Sequence, residues 1–347
     1  MRIGVLDVGS NTAHLLIADG GVGVPLPLHA IKTRLRLAEH VDADGAVGPT
    51  AIDRLGDAVA DAIAKARAWQ VQELYAYATA VVRDAPNQEE ILSAVWNRSG
   101  VRLGLLTGRE EAELTFLAAR RWMGWRSGPL LVLDIGGGSL EIAYGHDVAP
   151  QFAVSLPVGA GRLTRERLRG DPPSQRQLKA LRRHVRDQLT EAATRMHWEG
   201  TGTAAATSRT FHQLARLCGA PPKRLGPFVP RHLRREDLEK QLKRLARLPA
   251  ARRAKLPGIS APRARQSLAG AVVAHTTMTA FGLGEVTICP WALREGILLR
   301  RLEHAAWWED HTTRLDVPDV RPPAPDLQAV ADVVPLERVR ASRVSDS

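Results

Sequence analysis

One pattern occurs twice in this chain, 127 residues apart, and it restricts the possible folds more than any other feature. The first copy reads Gly4-Val5-Leu6-Asp7-Val8-Gly9-Ser10-Asn11-Thr12-Ala13-His14-Leu15-Leu16-Ile17. The second reads Leu131-Val132-Leu133-Asp134-Ile135-Gly136-Gly137-Gly138-Ser139-Leu140-Glu141-Ile142-Ala143-Tyr144. In both, a short apolar run ends in Asp-x-Gly, a tight turn follows, and a hydroxyl residue, Thr12 or Ser139, begins the return run. Each copy is therefore expected to form strand, glycine turn, strand. Internal duplication on this scale implies two similar half-molecules, and 347 residues suit about two domains of ~100–200 residues each.

Between and after the hairpins, strand patterns alternate with helical ones, which makes the fold class α/β. The expected helices are Thr50–Trp69, Glu89–Gly100, Arg109–Trp122, Arg176–Met196, Ser208–Cys218, Ala261–Phe281 and Ala292–Trp307. The expected strands are Glu73–Ala78, Arg102–Leu106, Glu199–Ala204 and Val286–Ile288. Gly and Pro in residues 122–129 mark a junction, giving domains at 1–125 and 126–310. The remainder, 311–347, has five prolines and no sustained period, and is expected to be a disordered tail.

Composition narrows the class further. A chain 44% hydrophobic and 24% charged can bury a core, which excludes wholesale disorder. Cys218 and Cys289 stand apart without zinc or disulfide spacing. Together with an N-terminus that meets Asp7 before any long apolar run, this predicts a cytoplasmic protein. The least charged stretch, Gln266–Gly284, contains Gln266, Ser267, His275 and three threonines, too polar for lipid, so it reads as a core helix and no membrane partner is expected.

Charge is unevenly placed. Residues 161–270 hold 26 Lys and Arg against 8 Asp and Glu, while the rest of the chain is net acidic. Two readings stay open: solvated helices with basic outer faces, or an electrostatic funnel for a polyanion. Nucleic acid is a minor candidate, because only Trp198, Phe211 and Phe228 supply aromatic rings in this segment.

A carboxylate at a strand end, followed by glycine backbone and a hydroxyl, suits phosphate and a divalent cation. Glycine lets backbone N–H groups approach an anion, and the carboxylate can hold the metal. Ordinary β-turns use the same residues, but two aligned copies could grip a phosphate chain from both sides of a cleft.

Five motifs in order, DVGSNTAHLLIAD (7–19), ATAVVRDAPN (78–87), TGREEAELTF (107–116), LDIGGGSLEI (133–142) and CPWALREGIL (289–298), resemble those of the exopolyphosphatase and guanosine pentaphosphate phosphohydrolase family. That family lies within the sugar kinase, actin and heat-shock chaperone superfamily. The resemblance covers about residues 1–303 and implies two actin-like, ribonuclease H-like domains around a cleft. It assigns Glu111 as catalytic base, and Gly9, Ser10, Asn11, Arg83, Gly136, Gly137, Gly138 and Ser139 as phosphate-binding. It assigns Asp7, Asp134 and Glu141 to a Mg2+ or Mn2+ ion. Glu110 has a separate reading, since Thr107-Gly108-Arg109-Glu110 has capping-box spacing. Without the family, Glu111 would be a solvated first-turn glutamate. His14 is read as structural or as supporting the site from behind.

The resemblance implies removal of the terminal phosphate of inorganic polyphosphate, with guanosine penta- or tetraphosphate as possible substrate or inhibitor, and a homodimer. Arg209 and Arg265 stand where family members commonly carry glycine and aspartate, which favours a phosphate chain over a nucleoside. Short chains are expected to be handled best. The alternatives are hydrolysis of guanosine pentaphosphate and a non-catalytic polyphosphate or alarmone sensor.

Overall fold

The computed structural model describes residues 1–20, 27–42, 44–199, 202–303 and 312–315. Its first half contains β1 (Arg2–Val8), β2 (Thr12–Asp19), β3 (Pro27–Arg34), α1 (Pro49–Ala68), β4 (Glu73–Ala78), α2 (Ala80–Arg83), α3 (Gln88–Ser99), β5 (Gly104–Leu105) and α4 (Gly108–Met123). The second half opens with β6 (Leu130–Ile135), β7 (Leu140–Gly145), β8 (Phe152–Leu156), α5 (Ala160–Arg167), α6 (Gln175–Glu199), β9 (Thr203–Ala206) and α7 (Ser208–Leu217). It continues through β10 (His232–Arg234), α8 (Arg235–Arg247), α9 (Ala250–Arg253), α10 (Ser267–Ala280), β11 (Glu285–Ile288), α11 (Leu293–Glu303) and β12 (Thr312–Arg314).

Both repeats form antiparallel hairpins in one register: Asp7 pairs with His14, and Asp134 with Glu141. Each hairpin gains a third antiparallel strand, β3 or β8, and a parallel neighbour, β4 or β9, after a helical crossover. The described strands make two mixed sheets, ordered β12-β4-β1-β2-β3 with β5 beside β4, and β10-β11-β9-β6-β7-β8. The α/β duplication expected from the repeats is present.

The helices follow from their apolar spacing. α1 starts at Pro49, whose missing N–H costs nothing at a first helical position. It buries Ile52, Leu55, Val59, Ile63 and Ala66 against the first sheet's core. α10 is buried along nearly its whole length, so the apolar stretch is a core helix, and no described helix is long and apolar enough to cross a membrane. The expected helix from Ala261 is broken: Ala261–Arg263 form a separate 3-10 turn before α10. The expected strand Glu199–Ala204 also shifts. α6 extends to Glu199, residues 200 and 201 lie outside the described residues, and β9 takes its register from β6, with Leu130 opposite Thr203.

The two halves exchange a helix. α4 packs Ala112, Phe116 and Ala119 against Leu130, Val132 and Ala143 of the second sheet. α11 packs Ile297 and Leu298 against Ile3, Val5 and Tyr75 of the first. They cross so tightly that a Cβ on Gly296 would lie 1.9 Å from the Leu114 carbonyl oxygen, so only glycine fits there. The tail expected to lack order from residue 311 departs from that reading at its start, where β12 pairs with the edge of β4 and Leu315 is buried. Residues 304–311 and 316–347 lie outside the described residues.

Candidate active site

The two glycine turns meet at a cleft of about 770 Å³ between the halves, lined by Asp7, Gly9, Ser10 and Asn11 from one turn and Asp134, Gly136, Gly137, Gly138, Ser139 and Glu141 from the other. Their carbonyls are taken by protein donors. The amides of Leu35 and Arg36 donate to Asn11 O at 2.9 and 3.1 Å, and Ala38 N donates to Ser10 O at 3.2 Å. In the second turn, Ala160 N donates to Gly136 O at 3.0 Å, while Gly161 N and Arg162 N both donate to Gly137 O at 2.9 Å. Among the described residues, the amides of Ser10, Asn11, Gly137 and Gly138 have no protein acceptor, which leaves four donors for an anion. A Cβ on Gly137 would sit 2.6 Å from Ser10 Oγ, so any side chain there would push the turns apart.

Glu111 enters this cleft from the first turn of α4. Thr107 caps the helix, accepting from Glu110 N at 3.2 Å, and the Glu110 carboxylate accepts from Thr107 N at 2.7 Å. The cap occupies Glu110 and leaves Glu111 turned inward, where it is buried and ion-paired with Arg83. Arg83 is itself anchored: Nε donates to Asp84 Oδ1 at 3.0 Å and Nη1 to Leu106 O at 2.9 Å. The Arg83 side chain is thus held beside the Glu111 carboxylate.

Burial dominates the acidity of the carboxylates. It pushes Glu111 well above the usual glutamate range, reinforced by the charge of Glu141 and opposed by Arg83. Burial raises Asp134 to about 6 against the hydrogen bond from Thr207. It raises Glu141 to about 7, with the charge of Asp134 adding to it and hydrogen bonds from Ser139 and Ser155 opposing it. Asp7 is raised by burial despite its 2.9 Å ion pair with Arg294. Among the described residues, no three His, Cys, Asp or Glu side chains converge tightly enough to hold a metal alone. Hard oxygen donors whose buried charge is under-compensated nevertheless fit a hydrated divalent cation that takes its other ligands from phosphate and water.

Cations crowd the same cleft: Lys32, Arg34 and Arg36 from β3 and its exit, Arg209 and Arg263 from the second half, and Arg294 at the start of α11. Burial, then Arg294 and Arg209, push the Lys32 ammonium below its ordinary value. Burial and Arg209 lower Arg263 to about 10. Groups that depress each other in this way favour a bound polyanion. His14 lines the cleft as well, held neutral by burial and by Arg294 and Lys32.

Three sequence readings change here. Arg265 is exposed and outside the cleft; Arg263, two residues earlier, lines it. Of the basic residues in the 161–270 segment, only Arg209 and Arg263 among the described residues line the cleft, while many of its other charges ride on solvent-facing sides of α6 and α8. Of the two readings of that segment, solvated helix faces describe most of it. Third, Arg294, Thr207 and Ser155 had no assigned role, although Arg294 lies within the quoted motif CPWALREGIL. Its partner Asp7 is 287 residues away, so only the folded chain pairs them.

A family model described as "Ppx/GppA phosphatase family" matches residues 16–305. An uncharacterized protein of Streptomyces coelicolor is 58% identical over 99% of this chain and 100% of its own length. Exopolyphosphatase 1 of Mycobacterium tuberculosis is 47% identical, over 88% of this chain and 90% of the relative. Among solved structures, an exopolyphosphatase from Cytophaga hutchinsonii superposes with a TM-score of 0.80 at 23% identity, covering 87% of this chain and 98% of that one. At that identity the superposition speaks for the fold.

Proposed function

This chain belongs to the Ppx/GppA phosphatase family, and on that premise we propose that it is an exopolyphosphatase, releasing orthophosphate from the end of inorganic polyphosphate. The observation that carries the reading is the convergence of two anion-ready turns with a buried, arginine-paired glutamate in one cation-lined cleft. Exopolyphosphatase 1 of Mycobacterium tuberculosis, 47% identical, supports the substrate class.

In this reading Glu111 accepts a proton from a water placed in line with the terminal phosphorus. The water oxygen bonds to phosphorus, the bridging P–O bond breaks, and the shortened chain leaves as the anion. Arg83 and the amides of Ser10, Asn11, Gly137 and Gly138 stabilise charge on the equatorial oxygens. Lys32, Arg209 and Arg263 hold the phosphates that follow. Asp7, Asp134 and Glu141 would hold a divalent cation, Mg2+ or Mn2+, which when bound neutralises phosphate charge. No covalent nucleophile is required.

Guanosine pentaphosphate presents the same terminal anhydride and is the second reading. The cations Arg209 and Arg263 in the lining favour the phosphate chain over a nucleoside. Turnover of both substrates at equal phosphate concentration tests this, and preference for guanosine pentaphosphate would reverse the assignment.

A further inference from the structure

The geometry points to Asp84 as a positioning residue that ties the Arg83–Glu111 pair to the closing of the two halves, an inference that rests on Glu111 being the base. Asp84 uses its two carboxylate oxygens for different halves. Oδ1 accepts from Arg83 Nε at 3.0 Å, and Oδ2 accepts from Arg162 Nη2 at 2.7 Å. Arg162 lies in the first turn of α5, and its own backbone N–H holds the second glycine turn through Gly137 O at 2.9 Å. A single residue of the second half therefore grips a phosphate turn with its backbone and anchors the first half's arginine through Asp84 with its side chain.

The bridge borders a second cavity of about 290 Å³ behind the turns, whose lining includes Ser10, Ala80, Asp84, Gly137, Gly138 and Arg162. Parting of the halves there breaks Arg162–Asp84 while leaving the contacts within each half intact. A guanidinium plane is oriented by the bonds on its edge, and Asp84 holds the Nε edge of Arg83. Aligned chemistry is thus reserved for the state in which both turns close on phosphate.

The test compares wild type, Arg162→Gln, Arg162→Lys, Asp84→Ala, the double variant Arg162→Gln/Asp84→Ala, and Arg167→Gln as a charge-matched control, an exposed residue of the same helix whose side chain meets His184 of its own half. Each is assayed for orthophosphate release from polyphosphate of defined length, and for hydrogen exchange of the amides at residues 80–84. Arg162→Gln and Asp84→Ala are expected to lower kcat about tenfold with KM within about twofold, and the double variant to be no worse than either single one. Arg162→Lys restores most of the rate, and Arg167→Gln changes little. Exchange at residues 80–84 rises in Arg162→Gln, across the domain gap. Additive losses, an effect on KM alone, or exchange changes confined to α5 overturn the bridge. If wild type releases no phosphate, the functional reading fails, and the exchange data alone decide whether Arg162 orders the Arg83 segment.

Discussion

In the proposed reaction Glu111 serves as the base, while its neighbour Glu110 caps the helix. Both sit in the first turn of α4, but Glu110 is consumed by the Thr107 amide and hydroxyl, and Glu111 is buried beside Arg83. Replacing it as Glu111→Gln keeps the shape and removes the proton acceptor. Orthophosphate release should fall ~10²–10⁴-fold, with KM for polyphosphate nearly unchanged in steady-state kinetics; a rate near wild type would remove Glu111 from the chemistry. Arg253 carries a structural role of similar weight. Its side chain, 1% exposed, donates to the carbonyls of Leu245, Leu248, Ala264 and Arg265 and pairs with Asp171 at 2.8 Å, fixing the turn that carries Arg263. Arg253→Ala removes all of these bonds and leaves the Leu248 and Arg265 carbonyls without a donor among the described residues, while Leu245 O, Ala264 O and Asp171 keep the Leu248 amide, the Ser267 hydroxyl and the Ala250 amide; denaturant unfolding should show a loss of about 2–4 kcal/mol.

At the scale of elements, the hairpins were legible because their turns need glycine and a carboxylate at fixed spacing, and the capping box of α4 was legible because it is local. Less visible were β3 and α5. β3 is an edge strand whose Leu28, Ala30 and Lys32 are exposed and whose other face offers only half-buried His29, Ile31 and Thr33, so its pattern is faint, yet it delivers Lys32 and Arg34 to the cleft. α5 has a strongly polar composition, RLTRER after Ala160 and Gly161, and its importance lies in its N-terminal amides, which no side-chain pattern encodes. The crossing of α4 and α11 was equally hidden, since it depends on packing between residues nearly 200 apart. The meeting of the turns makes a specific demand on Gly137. Gly137→Ala is expected to cut kcat/KM at least about tenfold because its methyl displaces Ser10, and Ser10→Gly in the same chain should recover part of the loss. Equal damage with and without Ser10 would mean that turn contact is not the constraint.

For the whole molecule, the basic composition divides into two populations. Most cations of 161–270 face solvent on helices, whereas the cleft draws Lys32, Arg34, Arg36 and Arg294 from the otherwise acidic remainder of the chain. Substrate capture should therefore be screened by salt: KM for polyphosphate rises several-fold between low and high ionic strength, as ion exchange among exposed charges predicts. The buried carboxylates impose a pH dependence as well. Asp134 at about 6 and Glu141 at about 7 bind protons more tightly folded than unfolded. The contribution of these groups to the stability of the metal-free protein is thus complete below about pH 4 and is lost as pH rises through about 7, with about 4 kcal/mol of it going between pH 5 and 8 for the pair. Thermal unfolding in chelator from pH 5 to 8 measures the decline, which Glu141→Gln should reduce; a rise in stability over that range would reverse the sign. Added Mg2+ should stabilise most at pH 8, where the carboxylates are ionised.

The most direct measurement of the central claim is orthophosphate release from polyphosphate of defined length, for wild type and Glu111→Gln, with Mg2+ and with chelator. Steady, cation-dependent release by wild type that collapses in Glu111→Gln is the predicted result. No release by wild type, or release that persists at the wild-type rate without Glu111, would contradict it.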